Sequence, residues 1–170
     1  MPKKIEFYKN GGPEVLKYVD YELGSAKPSS DEIRIKHLSI GVNYIDTYHR
    51  TGLYPTKIPL TPGLEAVGEV IDVGNKVKDF NVGDRVGYAS PPLGAYCEIR
   101  DFPAKNSFII PGYIDEDSAA SILLKGMTVE YLFNRTYKLR AGDTLLFHAA
   151  AGGVGLIACQ WARAIGCRLI

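Results

Sequence analysis

Up to about residue 110, apolar and polar positions alternate in short runs separated by Gly and Pro, at residues 5–9, 15–21, 32–40, 67–73, 84–88 and 96–100. Period-two alternation over such lengths predicts half-buried strands joined by turns, and this many of them predict a barrel-like β domain. The pattern changes at Asp115, which reads as a helix N-cap with Glu116 and Asp117 in the first turn; the helical run continues in one or two pieces to Tyr137. Arg140-Ala141-Gly142-Asp143 then turns the chain into an apolar strand at 144–149. A helix over 154–164 follows, stopped by Gly166, and Cys167 opens a second strand.

The junction of that strand and helix carries the clearest chemistry. Leu145-Leu146-Phe147-His148-Ala149-Ala150-Ala151-Gly152-Gly153-Val154-Gly155 joins an apolar strand to a helix through a Gly-rich turn. Ala150-x-Gly152-x-x-Gly155 is the dinucleotide fingerprint G-x-G-x-x-G with Ala in first place, and Gly153 adds a second point of close backbone approach to phosphate. The helix N–H groups and positive dipole end face the anion. The acidic residue expected about 20 positions past the glycines lies beyond Ile170. One strand, one helix and a strand stub cannot complete a doubly wound sheet, so the chain is expected to be the front part of a longer protein, cut inside its second domain. The boundary falls near residue 125, giving domains at 1–125 and 126–170. A polypeptide ending at Ile170 is expected to bind a dinucleotide weakly and to be inactive by itself.

Composition removes several classes. A net charge of +1, with Lys and Arg scattered between acids, argues against a nucleic-acid partner. Cys97, Cys159 and Cys167 are odd in number and lack a C-x-x-C, which suits a reducing cytosol, and all three are expected to be small buried hydrophobes. With Lys3 and Lys4 followed by Glu6 and Lys9 in place of an apolar run, no secretory signal is expected. The apolar stretch 145–162 contains His148, small turn residues at 151–155 and Gln160, and reads as buried strand and helix, with no membrane span. A cytoplasmic location is expected. The only linker-like stretch is 24–30.

Five motifs in order carry a resemblance: Gly41-Val42-Asn43-Tyr44-Ile45-Asp46-Thr47-Tyr48, Arg50-Thr51-Gly52-Leu53-Tyr54-Pro55, Pro62-Gly63-Leu64-Glu65-Ala66-Val67-Gly68, Val82-Gly83-Asp84-Arg85-Val86 and residues 149–155. Together they resemble the quinone oxidoreductases, the zinc-free, zeta-crystallin-like branch of the medium-chain dehydrogenases/reductases, from Ile5 to Ile170. The resemblance implies an α+β N-terminal barrel like the chaperonin GroES, followed by the start of an α/β Rossmann domain, truncated here. It also implies NADPH as cofactor, a quinone substrate, and a homodimer when full length.

In the zinc-dependent alcohol dehydrogenase branch a Cys stands at the position of Asn43 and a His at that of Leu64. Without a thiolate and an imidazole, Glu65 cannot complete a tetrahedral catalytic site, so no metal is expected. The stretch 98–105 lacks the clustered thiolates of a structural zinc lobe. His49 reads as a helix-surface histidine making a polar contact.

A substrate oxygen must then be polarised by hydrogen bonds. The loop 43–54 supplies an amide at Asn43, hydroxyls at Thr47 and Thr51, and phenols at Tyr44, Tyr48 and Tyr54. Tyr48 and Tyr54, with Asn43, are the candidate catalytic residues: a protonated phenol donates to a developing oxyanion, and its ring lies against a flat substrate. The competing reading is that these rings simply pack with wet hydroxyls. The resemblance carries Tyr44, Ile45, Asp46, Thr47, Tyr48, Thr128, Tyr131, Gly152, Gly153 and Val154 to NADPH contacts. Glu65 and Asp84 read as structural, Asp84 fixing the Gly83 turn. The implied reaction is hydride transfer from NADPH to a quinone. Two alternatives stand: reduction of an activated carbon–carbon double bond in an enal, enone or enoyl thioester, and a non-catalytic, NADPH-binding crystallin-like protein.

Overall fold

The computed structural model describes residues 1–24 and 26–170; Ser25, inside the linker-like stretch 24–30, lies outside the described residues. Strands β1 (Lys3–Glu6) and β2 (Lys17–Asp20) pair antiparallel, and β3 (Glu32–Gly41) is a ten-residue strand with Ile33 and Ile35 fully buried. Helix α1 (Tyr44–Thr51) follows β3 directly. Strands β4 (Glu65–Val73), β5 (Arg85–Ala89), β6 (Ile99–Pro103) and β7 (Phe108–Ile109) complete an antiparallel sheet of order β6-β3-β4-β5-β7. Bridges from Lys4 to Cys97 and from Phe7 to Leu60 join the β1–β2 pair to this sheet.

The core beneath the sheet is built from the inward positions of the alternation. Ile33, Ile35, Ala66, Val70, Val86 and Phe102 are fully buried, and Tyr88 stacks on Phe102 with ring centroids 3.9 Å apart. Burial of a large aliphatic or aromatic side chain contributes about 1.5–3 kcal/mol. Arg34, between two core isoleucines, is buried as well, and its guanidinium grips Asp101 through two bonds of 2.7 and 2.9 Å. A bulge between His37 and Ser39 leaves Leu38 half exposed and bends β3 before it reaches Gly41.

Helix α2 (Glu116–Tyr131) begins where the sequence places it, with Asp115 Oδ1 accepting the Ser118 N–H at 2.8 Å; a π-helical turn, Leu132–Thr136, follows. Strand β8 (Thr144–Leu145), helix α3 (Gly153–Ile165) and strand β9 (Arg168–Leu169) come next, the two strands pairing parallel. The chain divides into two units, Met1–Ser121 and Ile122–Ile170. The core of the second is Val129, Phe133, Ala158 and Ala162, with Phe147 and Trp161 against it.

Several expected bounds move. The run at 96–100 becomes a strand only from Ile99, because the preceding residues bond to the other sheet: Ile5 N–H donates to Tyr96 O at 2.8 Å and Glu98 N–H to Lys3 O at 2.9 Å. The run at 15–21 opens with a 3-10 turn, Pro13–Val15. The expected strand at 144–149 is a ladder of two residues, continued by single bonds such as Phe147 N–H to Ile170 O at 3.2 Å. Cys97 is buried as expected, but Cys159 and Cys167 are partly exposed, the latter in the turn before β9 with its thiol donating to Arg140 O. His49 is no surface residue: it lies on the buried face of α1. Asp84 does hold its turn, Oδ2 accepting the Asn81 N–H at 2.7 Å.

Candidate functional site

An eight-residue helix is too short to persist by itself in water, and the side chains that α1 buries are polar, Asp46 and His49. Hydrogen bonds fix it. At its start Asn43, the N-cap, donates its backbone N–H to Asp46 Oδ2 at 3.0 Å and its side-chain Nδ2–H to Glu65 Oε2 at 2.6 Å. At its end Asn10 Nδ2 donates to the carbonyls of His49 and Arg50, and Arg50 Nε donates to Gly11 O at 3.2 Å. Gly52, at φ 82°, closes the helix in the left-handed conformation that favours glycine.

The outward side of this helix carries the rings. Tyr44 is 75% exposed and Tyr54 48%, with Tyr48 half-buried between them. Tyr48 meets Tyr44 edge to face at 5.3 Å and Tyr54 at 5.2 Å, and the Tyr54 N–H donates to Tyr48 O at 3.1 Å, folding the loop back onto the helix. His49 backs Tyr54 at 6.1 Å. Ile45 and Thr47 are half-buried, and the Thr47 hydroxyl donates to Tyr44 O at 2.7 Å. The sequence-selected phenols Tyr48 and Tyr54 are therefore together, with Tyr44 beside them.

Asn43 and Asp46 sit differently. Asn43 is 6% exposed, and one of its two Nδ2 hydrogens is committed to the fully buried Glu65. The Asp46 carboxylate faces inward, accepting from Asn43 and from the Tyr96 hydroxyl at 2.9 Å. Burial, then the neighbouring Asp46, pushes the Tyr96 phenol up, so it remains a protonated donor. Among the described residues, Asp46 Oδ1 and His49 Nδ1 are buried without a hydrogen-bond partner.

In the second unit, the turn before α3 is shaped for close approach. Gly152 caps the helix with no side-chain bond, so the first-turn N–H groups, Gly153, Val154 and Gly155, have no intrahelical acceptor. A Cβ at Gly155 would stand 2.5 Å from Ala150 O and collide with Ala149 O, so only glycine fits there. Gly153 lies under the stem of Lys125, whose Cδ and Cε stand 3.0 Å from an added Cβ. Ala149 turns the strand into this loop at φ 56°, a left-handed backbone unusual for alanine. Thr128, on the same helix as Lys125, donates its hydroxyl back to Leu124 O at 2.8 Å; Tyr131, one turn later, is 46% exposed.

Tyr96 and the strained Ala149 are the residues that sequence reasoning did not single out. Tyr96 lies fifty residues from its partner Asp46, and no local pattern links them. Ala149 could have been suspected from its place one residue before the fingerprint.

Residues 29–139 match the alcohol dehydrogenase GroES-like domain family. A quinone oxidoreductase of Pseudomonas aeruginosa is 52% identical over 171 residues, covering 100% of this chain and 52% of that protein. A 2-haloacrylate reductase of Burkholderia sp. is 42% identical over 169 residues, covering 96% of this chain and 50% of that protein. The crystal structure of Escherichia coli quinone oxidoreductase complexed with NADPH has a TM-score of 0.94 and 49% identity, covering 98% of this chain and 51% of that one. The chain spans about half the length of the curated relatives it matches.

Proposed function

We propose that this chain, which belongs to the alcohol dehydrogenase GroES-like domain family and to the quinone oxidoreductase branch of the medium-chain dehydrogenases/reductases, carries the tyrosine-bearing catalytic domain, 1–125, and the phosphate-binding turn of a domain beginning at 126, in an NADPH-dependent quinone reductase that works without zinc. The observation that carries the reading is the turn at Gly152–Gly155, a helix start with no side-chain cap and a Gly155 that admits no Cβ. It is a cradle for pyrophosphate, and so the residues present fit a dinucleotide. Lys125 brings a cationic side chain to the same turn.

NADPH, when bound, supplies the hydride. The protein's own share is binding, orientation and a proton. The Gly152–Val154 turn would hold the phosphate oxygens through its backbone, and Tyr44, Ile45, Thr47, Tyr48, Thr128 and Tyr131 would contact the cofactor, as would Asp46 by its backbone, its carboxylate being committed to Asn43 and Tyr96. Tyr48 and Tyr54 present ring faces to a flat acceptor and O–H groups to the oxygen on which negative charge develops. Asn43 offers its uncommitted Nδ2 hydrogen to the same oxygen. A quinone is electrophilic enough that these neutral donors suffice, and Leu64 and the Asn43–Glu65 pair offer no thiolate or imidazole to a metal.

The second reading, reduction of an activated double bond, is favoured by the likeness to a 2-haloacrylate reductase. NADPH oxidation by the full natural chain, with 1,4-benzoquinone, a crotonyl thioester and 2-chloroacrylate in parallel, separates the two. Faster turnover of the quinone is expected. A preference for either alkene would transfer the assignment to the second reading, and no NADPH oxidation with any acceptor would overturn both.

A further inference from the structure

We propose that Tyr96 is a positioning residue for the phenols of α1 and the loop after it, acting through the Asp46 carboxylate and never on substrate. Its kinetic consequences rest on the quinone-reductase reading; its structural ones do not.

The buried face of α1 is polar, carrying Asp46 and His49. A helix seated on apolar side chains can slide or roll with little loss, because dispersion contacts are not directional. A helix held by hydrogen bonds has its position fixed by their geometry. For α1 the bond that reaches its buried carboxylate from another part of the fold is that of Tyr96, whose hydroxyl donates to Asp46 Oδ2 at 2.9 Å. The same oxygen accepts the Asn43 N–H at 3.0 Å, so one atom ties the N-cap, the third helical residue and the Tyr96 loop together.

Tyr96 is itself immobilised. Its N–H donates to Pro62 O at 3.0 Å, the N–H groups of Gly94 and Ala95 both donate to Gly63 O, and its ring lies so close over Gly63, at φ 98°, that a Cβ there would collide with it. The phenol oxygen is therefore a fixed point of the sheet's end. What it fixes is the helix carrying Tyr44 and Tyr48, and through the Tyr54 N–H bond to Tyr48 O, the Tyr54 loop. Displacements of about 1 Å in such groups cost on the order of a hundredfold in rate. The Tyr96 hydroxyl is spent on Asp46, so the effect passes through placement.

Tyr96→Phe tests this in the full natural chain, because the ring stays on Gly63 and only the donor is lost. Amide hydrogen exchange across residues 44–54 is expected to quicken by about tenfold, the scale of one hydrogen bond, while β3 and β4 are unchanged. Quinone kcat is expected to fall by about tenfold, and this loss should shrink to below about twofold in a Tyr48→Phe/Tyr54→Phe background, since a positioning residue has nothing left to position. Asp46→Asn, which keeps an oxygen to accept the Tyr96 hydroxyl, should retain most of the exchange protection. Unchanged exchange in Tyr96→Phe overturns the proposal, and so does a kcat loss fully additive with the double variant. If the wild-type chain reduced no quinone, the functional reading would fall and the exchange measurement alone would decide the role of Tyr96.

Discussion

Tyr54 is half exposed, backed by His49 and Tyr48, and has its backbone N–H tied to the Tyr48 carbonyl. A ring so held has little freedom left to lose on contact with a flat acceptor. Tyr48→Phe and Tyr54→Phe are each expected to lower quinone kcat/KM by roughly tenfold, since one neutral hydrogen bond made to the transition state is worth about 1–1.5 kcal/mol. Losses above about a thousandfold in steady-state assays would reveal a true general acid; no change would reduce both phenols to packing. The glycines of the phosphate turn divide by role. Gly155→Ala drives a Cβ into the backbone of Ala149 and Ala150 and should destabilise the chain by about 1–3 kcal/mol. Gly152→Ala places a Cβ 3.1 Å from Ala149 O and 4.0 Å from Ala149 Cβ, a milder crowding than at Gly155, so it should lower the urea midpoint less than Gly155→Ala does while weakening NADPH binding in a fluorescence titration.

At the level of elements, the sheet joins β3 to β5 and the Cys97 loop through the half-buried His37. His37 Nδ1 contacts Cys97 O at 2.6 Å, so that nitrogen carries the proton, and Nε2 accepts from the Tyr88 hydroxyl at 2.9 Å. The neutral ring is fully bonded. Burial lowers its pKa from 6.5 to about 4. The unfolded chain therefore binds a proton that the folded chain refuses, and the stability His37 contributes is complete above about 6.5 and is lost as pH falls toward about 4. Its full size is on the order of 3 kcal/mol. His37→Gln, which can still donate to Cys97 O and accept from Tyr88, should flatten the fall in urea midpoint between pH 7 and pH 4.5 relative to wild type; identical slopes would show that His37 does not control it.

The elements also explain what could be read from the sequence. Strand alternation at Ile33 and Ile35, the Asp115 cap and the Gly166 stop are local signals, each decided within a few residues. The burial of His49 was illegible because α1 turns a polar face inward, where periodicity expects an apolar one. Tyr96 was illegible for a different reason: its importance lies in a bond to Asp46 across fifty residues, formed only when the loop crosses to the β1 pair. The grouping of Tyr48 with Tyr54 was visible because a tight helix cap at Gly52 brings nearby residues back together.

For the molecule as a whole, the absence of a thiolate at Asn43 and an imidazole at Leu64 sets the metal prediction. The full natural chain is expected to hold no stoichiometric zinc by elemental analysis and to keep its NADPH-dependent activity in a chelator. One zinc per chain, or activity abolished by chelation and restored by zinc, would refute it. The bond between Asn43 and Glu65 also limits what residue 43 can become. Asn43→Cys would remove from the fully buried Glu65 carboxylate a donor at 2.6 Å, and one hydrogen bond to a charged group is worth about 1.5–3 kcal/mol. With domain stabilities of only about 5–15 kcal/mol, a cysteine at residue 43 would cost this fold a noticeable share of its stability before any metal was bound.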